Sequence, residues 1–161
     1  MHFWAASEGG STLFTPMNEA LNKQSQERQD LLRSLYFASN DWGIKPKPLV
    51  YPHPDTKKDT MVFHLGPHFV KGFHIDYDYE TDSSAKDYTI EESIEMLKTI
   101  TSMMEDKDLM LKMEWKEGDF AILDNLAVAH YAHPDTQNTV EKAGLRILHR
   151  TTVEGTNLPR K

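Results

Sequence analysis

The chain has 161 residues, 39% hydrophobic and 27% charged, which suits one domain with a sizeable core. Its formal charge of -7 argues against a surface for nucleic acid or for an anionic membrane, and no apolar run approaches the length of a membrane span. The absence of cysteine excludes disulfides, zinc–thiolate sites and thiol catalysis, but leaves a metal site of histidine and carboxylate open.

In chain order, His2-Phe3-Trp4-Ala5-Ala6 reads as the middle of a strand that ends at Gly9-Gly10. The segment has neither the basic start nor the long apolar stretch of a secretory signal, so a cytoplasmic protein is expected. Thr15-Pro16 predicts a helix start, and Leu31, Leu32, Leu35 and Tyr36 give a helical apolar stripe. Pro48 to Tyr51 and Thr60 to Leu65 predict two strands joined by a turn around Asp55 to Asp59. Thr89-x-x-Glu92 is a capping box, and Ile90, Ile94, Leu97 and Ile100 continue it as a helix over about 90–104. The helical Met96, Met103 and Met104 read as core filler. Leu111, Met113 and Trp115 alternate with polar residues as a half-buried strand, and Phe120 to Leu123 read as a buried one. Leu145, Ile147, His149, Thr151 and Val153 form one face of a last strand, with Arg146, Leu148 and Arg150 on the other. Many short strands with helical cover suggest a β-sandwich or barrel in a single domain, 1–161. His-Pro-Asp-Thr occurs at 53–56 and again at 133–136, but the flanks do not match, so Pro-Asp turn chemistry used twice explains it.

The chemistry concentrates near the end. His130 follows Asp124-Asn125 at the close of a strand-like run. Alone, it reads as an ordinary satisfied histidine; with the arginines that follow, it becomes a candidate metal ligand. Arg146 and Arg150 share a strand face about 13 Å apart, so they could hold two anions side by side through bidentate guanidinium contacts. A paired cationic stripe is the plainer reading of the same two residues. His74-Ile75-Asp76 is a His-x-Asp that could complete a facial triad with His130, although a simple loop ahead of the acidic stretch is the favoured reading. The acidic run Asp76, Asp78, Glu80, Asp82 and Asp87 has Thr81 and Asp87 where a calcium loop needs Gly and Glu, so a solvated loop is expected.

Taken together, these motifs resemble the TauD/TfdA family of Fe(II)/2-oxoglutarate-dependent oxygenases. Asp124, Asn125, His130 and Ala132 match the family's last iron-ligand segment, Arg146 to Arg150 its closing Arg-x-x-x-Arg, and Gly9-Gly10-Ser11-Thr12 its Gly-Gly-x-Thr. Leu123 and Leu126 depart from it, since many members carry an aromatic residue and an arginine there. The resemblance runs from about Gly9 to Gly155. It implies a fold that is mainly β with helices, a double-stranded β-helix (jelly roll) incomplete at the N-terminus. It implies His130 as an iron ligand, Thr12 and Arg146 as the holders of the far carboxylate of 2-oxoglutarate, and Arg150 facing an anionic group on the prime substrate. His53, in the family's His-Pro-x-Thr turn, is given no chemistry. The implied cofactors are Fe(II) and the co-substrate 2-oxoglutarate, and the implied partner is a small-molecule substrate, with no nucleic acid and no membrane. The implied reaction is decarboxylation of 2-oxoglutarate to succinate with hydroxylation of a C–H bond. In the family the first two iron ligands form a His-x-Asp or His-x-Glu ahead of the Gly-Gly-x-Thr strand, so they are expected before Met1 and the chain is expected to be a C-terminal portion. The alternative is a non-catalytic jelly-roll module that keeps the anion pocket at Arg146 without iron, or an inactive fragment.

Overall fold

The computed structural model describes residues 10–39, 44–61, 63, 70–134 and 151. Strand β1 (Thr12–Pro16) leads into helix α1 (Met17–Asn22), followed by α2 (Gln26–Ser34) and β2 (Leu35–Ser39). Then come β3 (Lys47–Pro48), β4 (Val50–Pro52), β5 (Asp59–Met61), β6 (Val70–Ile75) and β7 (Lys86–Asp87). Helix α3 (Ile90–Met104) and strands β8 (Leu111–Met113) and β9 (Val128–Ala132) complete the described elements. The strands form three antiparallel groups: β8-β1-β9, β3-β2-β6-β7 and the hairpin β4-β5.

Helix α3 forms where the capping box places it. The Thr89 hydroxyl accepts from Glu92 N (3.2 Å), and the Glu92 carboxylate accepts from Thr89 N (2.8 Å). Its buried face is turned from the expected one. Ser93, Met96, Ile100, Met103 and Met104 point inward, whereas Ile90 and Ile94 are 74% and 48% exposed. The three methionines do fill the core, alongside Met17 and Leu21 of α1, Leu32 of α2 and Phe73 of β6.

Three other expectations are corrected. Residues 12–16 are a strand, and the helix begins one residue past Pro16, which occupies the N-cap. The stripe through Leu35 and Tyr36 is split, because α2 ends at Ser34 and Leu35–Ser39 pair as a strand with β6. The run Leu35-Tyr36-Phe37-Ala38 is buried on both faces, an environment in which aromatic side chains favour a strand over a helix. The run Phe120 to Leu123 is neither a strand nor buried: Phe120 is 73% and Ile122 85% exposed. An apolar run becomes a strand only when an edge pairs with it, and among the described residues none does. The expected β4–β5 hairpin is present, although Pro48 belongs to β3 and pairs with Tyr36. The strand at 2–6 and the strand over 145–153, apart from Thr151, lie outside the described residues.

The rotated face of α3 can be tested. Ile100→Ala should cost about 2–5 kcal/mol in urea unfolding, because the side chain is fully buried. Ile94→Ala should stay within about 0.5 kcal/mol. Equal losses at the two positions would mean that α3 packs on the other stripe.

Candidate functional site

Strand β1 is paired on both edges, and its register decides which residues meet. Thr12 lies opposite Met113 of β8 and Ala132 of β9, and Phe14 lies opposite His130. Directly opposed residues of an antiparallel pair project to the same side. One face of the sheet therefore carries Thr12, Phe14, His130 and Ala132, and the other carries Leu13, Thr15, Ala129 and Tyr131. The second face rests on the helices: Ala129 and Tyr131 pack against the core, and the Thr15 hydroxyl donates to the Met104 carbonyl at the end of α3 (2.5 Å). The first face brings Thr12 and His130 together as diagonal neighbours on adjacent strands, a spacing of about 7–8 Å between such positions. The Phe14 and His130 rings lie 6.2 Å apart between centroids, tilted by 35°. Trp115 completes this surface from the β8 side, its indole N–H donating to the Thr12 hydroxyl oxygen (2.8 Å).

The turn that launches β9 is fixed at several points. The Asp124 carbonyl accepts from Ala127 N and Val128 N, and its carboxylate accepts from Leu126 N (2.9 Å). The Ala127 carbonyl accepts from Met17 N (2.9 Å). The β4–β5 hairpin supplies two more contacts. The Tyr51 hydroxyl donates to the Leu126 carbonyl (2.9 Å), and His53 Nε2 meets the Asp124 carboxylate (2.9 Å). His53 Nδ1 accepts from Asp55 N and Thr56 N, both at 3.2 Å, so the neutral ring carries its proton on Nε2 and gives it to Asp124. Burial, and then the charge of Asp124, push the Tyr51 phenol above its ordinary value, so it remains a donor across the physiological range.

The His-x-Asp at 74–76 is not part of this arrangement. His74 lies on β6, in the four-stranded sheet, and its Nδ1 is 2.5 Å from Asp87 Oδ1. Among the described residues, no group of three or more His, Asp or Glu side chains is placed to hold a metal ion. His74, Asp76 and His130 therefore do not form the triad that their sequence pattern allowed. The acidic loop satisfies itself: Asp78 accepts from Glu80 N and Thr81 Oγ1 (both 2.8 Å), and Asp82 from the Tyr77 hydroxyl. These bonds hold the Asp78 and Asp82 carboxyls below their usual range.

Of the expected site residues, the fold brings Thr12 and His130 onto one face, while Arg146 and Arg150 lie outside the described residues. Two residues gain a role that no sequence motif signals: Trp115, which alternation marks as a strand residue, and His53, which its Pro-Asp neighbours mark as a turn residue. For Trp115 the available signal was its place at the end of a strand whose partner was unknown. For His53 it was a histidine heading a Pro-Asp turn in a chain that also carries an Asp-Asn pair.

This arrangement defines a mainly β protein that presents an imidazole and a hydroxyl on one sheet face. The sequence profile of the taurine catabolism dioxygenase TauD, TfdA family matches residues 4–152, and the chain belongs to that family. Solved structures of similar fold include a taurine dioxygenase from Burkholderia xenovorans, at 19% identity and TM-score 0.56 over 81% of this chain and 44% of that one. A second protein from that organism, described as an alpha-ketoglutarate-dependent taurine dioxygenase, matches at 22% identity and TM-score 0.62 over 86% and 47%. AAD-2, solved with Mn(II) and N-oxalylglycine, matches at 14% identity and TM-score 0.57 over 83% and 55%. The chain thus spans about half the length of these structures, and at such identities the likeness is one of fold. No curated relative matches by sequence. No helix among the described residues is long and apolar enough to cross a membrane.

The hairpin contact to Asp124 yields a prediction. His53→Phe preserves ring bulk but removes the acceptor for two backbone N–H groups and the donor to Asp124. It should lower unfolding stability by about 1–3 kcal/mol. An unchanged denaturant midpoint would show that the clamp contributes nothing.

Proposed function

We propose that the chain forms the co-substrate-holding part of an Fe(II)/2-oxoglutarate-dependent dioxygenase acting on a small, anionic substrate. The observation that supports this most is the placement of Thr12 and His130 as diagonal neighbours on one face of β1 and β9. His130 offers one imidazole to iron. Thr12 offers a hydroxyl donor on the adjacent strand, which would bind a carboxylate of the co-substrate. Arg146 adds the charge that binds this far carboxylate, and Arg150 faces the anionic group of the prime substrate. Strands β8-β1-β9 form part of a double-stranded β-helix, and residues 1–161 belong to one oxygenase domain.

The donor chemistry suits this group as far as the described residues extend. An imidazole is a usual iron ligand in oxygenases with two histidines and a carboxylate, and it needs its ring held at a fixed angle. Phe14 lies against the His130 ring, and the anchored Asp124 turn fixes the backbone that leads into β9. Bound iron would supply the oxygen chemistry, coupling decarboxylation of 2-oxoglutarate to hydroxylation of a C–H bond. The residues of this chain bind the co-substrate, orient it and meet its charge.

Anaerobic calorimetric titration of the chain with 2-oxoglutarate, with and without Fe(II), tests the reading. Binding should weaken about tenfold in Thr12→Val and about a hundredfold in Arg146→Ala, and less in Arg150→Ala than in Arg146→Ala. Fe(II) should tighten it in the wild-type chain but not in His130→Ala. No binding, or binding indifferent to Thr12 and Arg146, would overturn the proposal. Binding that needs Arg146 yet ignores Fe(II) and His130 would instead identify a non-catalytic anion-binding module.

A further inference from the structure

Resting on that reading of Thr12, we propose that Trp115 is a positioning residue for the co-substrate: its indole N–H fixes the direction in which Thr12 offers its hydroxyl proton. The argument starts from the chemistry of a threonine hydroxyl, which has one proton to donate and two lone pairs to accept with, and which rotates to suit its surroundings. A rotor that is unconstrained before binding loses that freedom when a carboxylate arrives, and part of the new hydrogen bond is offset by the loss. An indole has only a donor, so a bond between Trp115 and Thr12 runs in one direction. The Trp115 Nε1–Thr12 Oγ1 distance is 2.8 Å, well inside hydrogen-bond range, with the oxygen as acceptor. The bond occupies a lone pair, and the hydroxyl proton remains to be given to an anion.

The topology adds direction. β1 is the middle strand, with β8 on one edge and β9 on the other. Trp115 follows β8, two residues beyond Met113, which is paired with Thr12. His130 lies on β9, across the other edge. The indole therefore reaches Thr12 from the side opposite His130. The hydroxyl proton is thereby restricted to the positions that the indole does not occupy. Donation from the indole also polarises the hydroxyl, making it a stronger donor to its next partner. Both side chains are half-buried, so water competes for this bond only in part.

Separating this role from simple packing requires a coupling measurement. Trp115→Phe preserves an aromatic ring and removes the N–H. In the wild-type background it should weaken 2-oxoglutarate binding about three- to tenfold, measured by calorimetry without oxygen. In a Thr12→Val background, where there is no hydroxyl to orient, the same change should leave binding within a factor of two. Urea unfolding of the same four proteins accounts for any general loosening of the fold. Equal losses in the two backgrounds would overturn the inference, because Trp115 would then act by bulk or by a contact of its own. If Thr12→Val weakens binding but Trp115→Phe does not, the inference fails and the assignment of Thr12 stands. If Thr12→Val leaves binding unchanged, the assignment of Thr12 fails and takes the role of Trp115 with it.

Discussion

The double pairing of β1 is the constraint on which the site depends. Its five residues, Thr12 to Pro16, pair with β9 along one edge, and the first three, Thr12 to Phe14, pair with β8 along the other. A slip of one residue against either partner would exchange the two faces, sending Thr12 toward the helices and Leu13 outward. Several contacts outside the ladder oppose such a slip. The Thr15 hydroxyl holds the last carbonyl of α3, an acceptor that no helical N–H can reach. Met17 N holds the Ala127 carbonyl just before β9, and His133 N holds the Ser11 carbonyl just beyond it. The register of β1 is thus pinned at both ends and from the helical layer, and the pairing of Phe14 with His130 follows from it.

A second layer of control reaches β9 from the β4–β5 hairpin, distant in sequence. Tyr51 and His53 both contact the Asp124–Leu126 turn, and both side chains are buried, 1% and 4% exposed. His53 is bound on both ring nitrogens, so its tautomer is set by the turn beneath it and its donor is aimed at Asp124. Asp124 is half exposed, so the energy of this contact is moderated by solvent, and its value is chiefly geometric. It sets the point at which the chain enters β9, and hence the height of His130 on the sheet.

The legible parts of the sequence were those with a local cause. Thr89 and Glu92 mark the start of α3 by hydrogen bonds within one turn, and the β4–β5 hairpin is marked by the Pro-Asp turn between two apolar runs. The illegible parts were decided by distant partners. Thr15-Pro16 carries a helix-start signal, yet Thr15 belongs to β1 because it pairs with Ala129 of β9. Leu35 and Tyr36 fit a helical stripe until the pairing with Ile75 and His74 is known. Phe120 to Leu123 have the composition of a buried strand, but composition does not supply an edge to pair with. The site divides in the same way. Thr12 and His130 were found through short motifs, and their proximity needed the register. Trp115 and His53 make their contacts through side chains that no motif specifies.

The described part of the site face is built from uncharged donors. Thr12 and Trp115 are neutral at any physiological pH, and in the proposed site His130 would meet a metal as neutral imidazole. A dicarboxylate co-substrate brings two negative charges that such groups cannot neutralise. Under the proposed assignment the roles are therefore divided. Arg146 supplies charge, which gives affinity with a broad angular tolerance, and Thr12 supplies a single proton whose direction matters. A directional donor is useful only if it is held before the ligand arrives, because a hydroxyl that must first be ordered offsets part of its own bond. The indole of Trp115 meets that requirement at the cost of one side chain on β1's far edge. It does so without adding a charge that would have to be desolvated at the proposed site.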